Sequence, residues 1–313
     1  MKIPLLVKLV LNTGFLVNRY PDPESWTAII GDLQVKNVQL TADLFSPHYP
    51  DSIIEREAEK ILDFSSKYGF NISSMFTGAF TRVNHFCHPN EDIREFWFNW
   101  FCSLAKLAQS LDCNRIGSHV GIMSIIDDID NRRLVQKRCI NYWKRLAECV
   151  GDYGIKDLTW EHMSISREQG HTLQDINQIL ADFKSSSLPI KMCLDPDHGD
   201  LSSSDSRDYE PYGLIEKYLP QSSQIHLKQI SYDKRKNTPF TSLHNESGLI
   251  DAVKVLNIFK TLNLPSQIEE DFEFILEINA RERQPDDKNI VADIAESVQY
   301  WKGAFEVCNL SYE

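Results

Sequence analysis

Four side chains able to ligate a metal stand at matched places in the second half of the chain. Glu161 ends Leu158-Thr-Trp-Glu161, and Asp195 ends Met192-Cys-Leu-Asp195. His226 lies within Gln224-Ile-His-Leu-Lys228, and Glu277 ends Phe274-Ile-Leu-Glu277. Brought to one point, three carboxylates repel each other in a partly dry site unless a cation neutralises them. One divalent ion with mostly oxygen ligands and one imidazole would do so. The donor set suits Mn²⁺ first, with Mg²⁺, Co²⁺ or Zn²⁺ as alternatives. A single glutamate at the end of a strand is more often a cap or a salt-bridge partner. Four ligating types at matched positions on successive runs carry the metal reading.

Such side chains meet only if the runs that bear them are neighbours in one sheet. Short apolar runs occur at Val7–Leu11, Asn37–Leu40, Ile72–Phe76, Arg115–Val120, Asp157–Trp160, Ile190–Leu194, Gln224–Leu227 and Glu273–Leu276. Between them lie amphipathic stretches with apolar residues recurring every three or four positions: Pro23–Gly31, Ser52–Lys67, Glu91–Leu111, Arg132–Cys149, Thr172–Phe183, Tyr212–Tyr218, Gly248–Leu262 and Asp287–Trp301. Strand–helix alternation repeated this often predicts an α/β fold, a single (β/α)₈ TIM barrel over residues 1–313. The rival, an open doubly wound sheet, usually carries a glycine-rich phosphate turn after its first strand, and Asn12-Thr-Gly-Phe-Leu16 is not one. In a barrel the active site lies at the C-terminal ends of the strands, where the four candidate ligands fall.

The 313 residues are 42% hydrophobic and 25% charged, an ordinary globular composition, with a formal net charge of -12. An acidic chain has no general attraction for a phosphate backbone, so nucleic acid is not an expected partner. The seven cysteines form no C-x-x-C pair, which suits reduced thiols in a cytoplasmic protein. Ile3–Leu11 is apolar, but Lys8 interrupts it and no small-residue cleavage site follows, so it reads as a buried first strand and not as a signal peptide. No apolar run is long enough to span a membrane. Phe96, Trp97, Phe98, Trp100 and Phe101 crowd more than one face of a single helical stretch, which points to a homo-oligomer, a dimer or tetramer.

The order Glu, Asp-x-x-His, His, Glu over the last four strands resembles the xylose isomerase-like TIM barrels, in particular the sugar and sugar-phosphate isomerase/epimerase branch with the ketose 3-epimerases. The likeness is carried by Trp160-Glu-His-Met-Ser-Ile-Ser-Arg-Glu168, Leu194-Asp-Pro-Asp-His198, Ile225-His-Leu-Lys-Gln229 and Leu276-Glu-Ile-Asn279. The Met-Ser-x-x-Arg-Glu and His-Leu-Lys-Gln pieces are most similar to the subgroup acting on short or branched ketoses and their phosphates, such as erythrulose-phosphate epimerases and apiose isomerases. The resemblance implies that Glu161, Asp195, His226 and Glu277 hold the metal, that Glu161 and Glu277 also move the proton, and that His198 hydrogen-bonds a substrate oxygen. It also implies an arginine six residues after the strand-7 histidine, where this chain has Tyr232; Lys228, Lys234 and Arg235 are the candidate substitutes.

The chemistry is coherent on physical grounds. A proton next to a carbonyl is weakly acidic, and a metal that chelates the carbonyl and a neighbouring hydroxyl stabilises the enediolate left behind. A carboxylate on each face allows removal by one and return by the other, inverting the stereocentre; return to the adjacent carbon exchanges aldose and ketose instead. The expected partner is a small sugar or sugar phosphate. Further substrate-binding candidates are Lys228, Arg167 and Glu168 after strand 5, His119 at the end of strand 4, His85 within Asn84-His-Phe-Cys-His88, and the basic run Lys234–Lys236. Competing readings on the same fold are a metal-dependent phosphodiesterase or AP-endonuclease-like hydrolase, which needs extra ligands from strands 2 to 4, a sugar-acid decarboxylase or dehydratase, and a non-catalytic sugar-binding barrel.

Overall fold

The computed structural model describes residues 7–231, 237–262, 264, 271–278 and 287–313. Parallel strands β1 (Lys8–Asn12), β2 (Asn37–Thr41), β3 (Asn71–Phe76), β4 (Arg115–His119), β5 (Asp157–Glu161), β6 (Ile190–Leu194) and β7 (Ser222–Leu227) run in order round a closed barrel. The last barrel strand, β10 (Glu273–Leu276), pairs with β7 on one side and β1 on the other. Between β7 and β10, β8 (Gln229–Ile230) and β9 (Asn237–Thr238) make a small antiparallel pair. The helices are α1 (Pro23–Asp32), α2 (Asp51–Tyr68), α3 (Glu91–Ser110), α4 (Ile125–Asp130), α5 (Arg132–Val150), α6 (Leu173–Phe183), α7 (Pro211–Tyr218), α8 (Ser242–Asn245), α9 (Ala252–Thr261) and α10 (Ile290–Val307). The (β/α)₈ expectation therefore holds, and most element bounds lie within two residues of those read from the sequence.

Local chemistry sets the ends. Thr172 caps α6 by accepting from Asp175 N, Asp22 caps α1 ahead of Pro23, and Gly69, at φ +75°, closes α2 in the left-handed region. One helix is shorter than its apolar pattern. Gly248 bridges Ser231 in extended backbone and Asp251 is the cap, so α9 begins at Ala252 rather than Gly248. The short α4, capped by Ser124, was not expected, because its six residues are too few to show a period. Among the described residues no helix is long and apolar enough to cross a membrane.

The aromatic α3 is covered on several sides at once. Phe98, Trp100 and Phe101 are buried, and Trp97 lies against His85 at 4.4 Å between ring centroids. Phe101 also packs on Phe86 and Trp143, and the Arg145 guanidinium lies over Phe98. Only Phe96 in this group stays open, at 50% exposure. The crowding that suggested a subunit interface is thus satisfied within the chain by α5 and the β3–α3 connection.

Alternation sends Leu9, Val38, Leu158, Ile225 and Phe274 out to the helices, where Phe274 meets Phe259, Trp301 and Phe305. The opposite face fills the barrel with polar groups linked to one another by hydrogen bonds. Asn12 donates to Gln39, Gln39 to Ser74, and Ser74 and Gln224 to Glu273. At the N-terminal end Arg115 pairs with Asp157 at 2.6 Å, Asp271 at 2.9 Å and Glu273 at 3.2 Å, and Lys191 supports Asp157 at 3.2 Å. At the other end Asp175 accepts from Gly170 N, Gln136 and Arg132, which ties the β5–α6 connection to α5.

Removing one partner of a buried ion cluster leaves a charge uncompensated. Arg115→Ala is therefore expected to cost about 3–5 kcal/mol in urea unfolding; a loss below about 1 kcal/mol would show that Lys191 and water suffice. Asp175 titrates with the fold. Burial raises its carboxyl, but His171, Arg132 and Gln136 together pull it from 3.8 to about 2. A depressed acid contributes stability above its unfolded value and loses it as pH falls from about 4 towards 2. Asp175→Asn should destabilise by about 2 kcal/mol at pH 7, with the gap to wild type closing below pH 3; a constant gap across that window would contradict the assignment.

Candidate metal centre and active site

At the C-terminal mouth, Glu161, Asp195, His226 and Glu277 each offer a ligand atom, and these atoms lie within 4.8 Å of one another. The geometry follows from the strands. Glu161 is the last residue of β5, Asp195 and Glu277 are the first residues past β6 and β10, and His226 is one step before the end of β7. In barrel order Asp195 and His226 lie between the two glutamates, so Glu161 and Glu277 bracket the cluster.

His226 has no exposed surface and both ring nitrogens are engaged. Nδ1 lies 2.8 Å from Glu161 Oε1 and 3.5 Å from Glu277 Oε2, and Nε2 lies 3.0 Å from Gln39 Oε1. That amide oxygen also accepts from Asn12 Nδ2 at 2.7 Å. An oxygen held as acceptor keeps the proton on Nε2, so in a neutral imidazole the Nδ1 lone pair faces the carboxylates, as a ligand would require. Phe76 packs edge-on against the ring at 5.1 Å. Burial opposes the imidazolium, but the neighbouring acids Cys193, Glu277 and Glu161 hold His226 well above its ordinary range.

Lys228, 5% exposed, follows the same inward alternation as Gln224 and His226. Its Nζ donates to Asp195 Oδ2 at 2.5 Å and to Glu277 Oε2 at 2.7 Å. Burial disfavours this ammonium, yet the two carboxylates keep it well above the usual lysine value. In turn, Asp195 is buried but held below the ordinary carboxylate range by His198, Lys228 and His226. Glu277 is lowered in the same way, by Lys228 and His226 against burial and Asp195. The site is thus a strongly anionic cluster compensated by cations. Oxygen-rich, with one oriented imidazole, it fits a hard divalent ion.

His198 completes the floor. Nδ1 is 2.7 Å from the His162 carbonyl, and Nε2 is 3.5 Å from Asp195 Oδ2. The other candidates are placed differently. His85 and His119 are 0% and 2% exposed, with Nε2 on the carbonyls of Thr81 and Val83, and their rings pack together at 4.6 Å. Through these contacts they tie the β3–α3 connection to β4. Arg167 donates to the Met123 carbonyl at 2.9 Å, and Glu168 pairs with Arg82, so both tie the mouth loops together. Lys234, Arg235, Lys236, Tyr232 and Asn279 lie outside the described residues. Gln39 and Asn12 were not singled out from sequence, although a polar residue at the inward phase of an apolar run was the available signal.

A family model described as xylose isomerase-like TIM barrel matches residues 32–303. The D-erythrulose 1-phosphate 3-epimerase of Brucella abortus (strain 2308) is 32% identical over 302 residues, 95% of this chain and 96% of that protein. Among solved structures, a putative xylose isomerase from Rhodospirillum rubrum ATCC 11170 matches with a TM-score of 0.80 at 20% identity, over 95% of this chain and 99% of that one. The D-psicose 3-epimerase of Clostridium cellulolyticum H10 matches with a TM-score of 0.66 at 14% identity, over 96% and 98% of the two chains. A closed parallel barrel, four ligating side chains at successive strand ends and a family match over most of the sequence agree: the chain belongs to the xylose isomerase-like TIM-barrel family.

Proposed function

We propose that this sugar isomerase/epimerase is a divalent-metal-dependent 3-epimerase of a small ketose or ketose phosphate. The observation that carries the reading is the pair Glu161 and Glu277, set on opposite flanks of one ligand cluster. The erythrulose 1-phosphate 3-epimerase at 32% identity supports a short phosphorylated ketose. Glu161, Asp195, His226 and Glu277 would hold the ion, Mn²⁺ before Mg²⁺, Co²⁺ or Zn²⁺. Bound there, the ion supplies Lewis-acid stabilisation of negative charge developing on substrate oxygens.

This chain's own residues do the rest. One glutamate, ionised, takes the proton from the carbon beside the carbonyl, and the other, protonated at the start of the turn, gives its proton to the opposite face, so the two end in exchanged protonation states. His198, its Nδ1 fixed by the His162 carbonyl, turns Nε2 to the site to bond a substrate oxygen. Gln39 keeps His226 in one orientation. The hydrolase alternative loses support here. Towards the barrel, β2, β3 and β4 present Gln39, Ser74, Phe76, Gly117 and the packed His119, and the described residues hold no second ligand cluster.

Two experiments test the reading. Purified protein should carry about one Mn²⁺ per chain, and Asp195→Ala and His226→Ala should each lose most of it; stoichiometric metal in both variants would rule the site out. In D₂O with Mn²⁺, erythrulose 1-phosphate or another C4–C6 ketose should gain deuterium at C3 while remaining a ketose, followed by NMR. Glu161→Gln and Glu277→Gln should lower the rate by about 10²–10⁴-fold with the fold intact. A new aldehyde signal would make the enzyme an aldose–ketose isomerase, and near-normal exchange in either variant would require another base.

A further inference from the structure

We infer that Lys228 is a built-in counter-cation that competes with the divalent ion for Asp195 and Glu277, so that metal enters by displacing the ammonium from the cluster. The inference rests on the metal reading above and adds a role for a residue outside the ligand set.

The argument is geometric. Asp195 has two oxygens, and Oδ1 already accepts the backbone N–H of Asp197 at 3.0 Å. Oδ2 is the oxygen left for an ion, and it is the one that Lys228 Nζ holds at 2.5 Å. Glu277 Oε2 faces the cluster, 3.5 Å from His226 Nδ1, and it too is held by Lys228, at 2.7 Å. The ammonium therefore bonds the same two oxygens that a divalent ion would take. An ion bound to both sits about 2.1 Å from each, which would place two cations over one pair of atoms. Like charges so close, with little water between them, repel strongly. Lys228 has a flexible four-carbon stem and can withdraw, whereas Asp195 and Glu277 are fixed at strand ends. With the ion absent, the lysine keeps Asp195 and Glu277 from facing each other and Glu161 uncompensated.

The test compares Mn²⁺ affinity, by competition against a chelator, in wild type and Lys228→Met, together with melting of the metal-free proteins. Lys228→Met should bind Mn²⁺ roughly tenfold or more tightly and, without metal, melt several degrees lower. Crystals of the wild-type protein grown with Mn²⁺ should show Nζ no longer within hydrogen-bond distance of both carboxylates. Should Lys228→Met fold poorly, the wild-type crystals decide alone. Unchanged or weaker Mn²⁺ binding in the variant, or an ammonium still bonded to both ligands with the ion in place, overturns the competition while leaving the metal site intact. A wild-type protein that binds no divalent ion overturns the metal reading itself.

Discussion

Mutual repulsion of three carboxylates is the constraint on which the rest of the mouth depends. Glu161, Asp195 and Glu277 come close enough for one ion to touch all of them, and each is bonded or faced by a cationic or polar partner. Desolvated anions at that separation cost several kcal/mol unless compensated. The barrel tolerates them because its strand ends fix the oxygens towards two bases, His226 and Lys228, supplied by one strand and its extension. Anions held this close would make a tight divalent site, and the same closeness calls for a compensating cation such as Lys228.

Support for this arrangement reaches down the barrel. An all-apolar interior would leave His226 Nε2 without a partner. Instead Asn12, Gln39, Ser74, Gln224 and Glu273 form a continuous hydrogen-bonded ladder that ends on the Arg115 cluster. Each rung comes from a different strand, so the ladder also favours the register that delivers the ligands at one height. Hydrogen-bonded networks of this kind rigidify the groups they join. Orientation of the imidazole is thereby coupled to packing at the opposite end of the barrel.

The clustering of the four candidate ligands was legible in the sequence because strand position and period are local properties. A polar residue closing an apolar run must sit at the strand's end, and the parallel fold brings such ends together. Features set by three-dimensional neighbours were not legible. His85 and His119 have the right residue type near the right strand ends, but the β3–α3 connection folds over them and uses their Nε2 atoms as anchors. The aromatics of α3 seemed too many for one wall, because the sequence does not reveal that α5 and Phe86 wrap a second side. Lys228 was readable as a cation near the site, but not as a residue bonded to two of the ligands, since Asp195 and Glu277 are distant in the chain.

Charge accounting links the cluster to the proposed chemistry. With Lys228 withdrawn as proposed and one glutamate carrying the proton it is to deliver, the other two carboxylates and one divalent ion would sum to zero, so the centre need not inherit the -12 of the whole chain. Proton removal then creates no new net charge in the site. A glutamate gives up its negative charge as it takes the proton, and the same charge appears on the substrate's oxygens. The proposed reaction would shift one unit of charge by a few ångströms beside a cation already in place, with little reorganisation because the surrounding dipoles are fixed beforehand. The opposite glutamate, protonated beforehand, would then give its proton to the carbon and take up that charge. A carboxylate able to serve as both ligand and base would suit this exchange, because an ion held by it would supply Lewis-acid stabilisation to the charge passed on. Two such carboxylates, one on each flank, would make forward and reverse inversion electrostatically alike, as the proposed epimerisation requires.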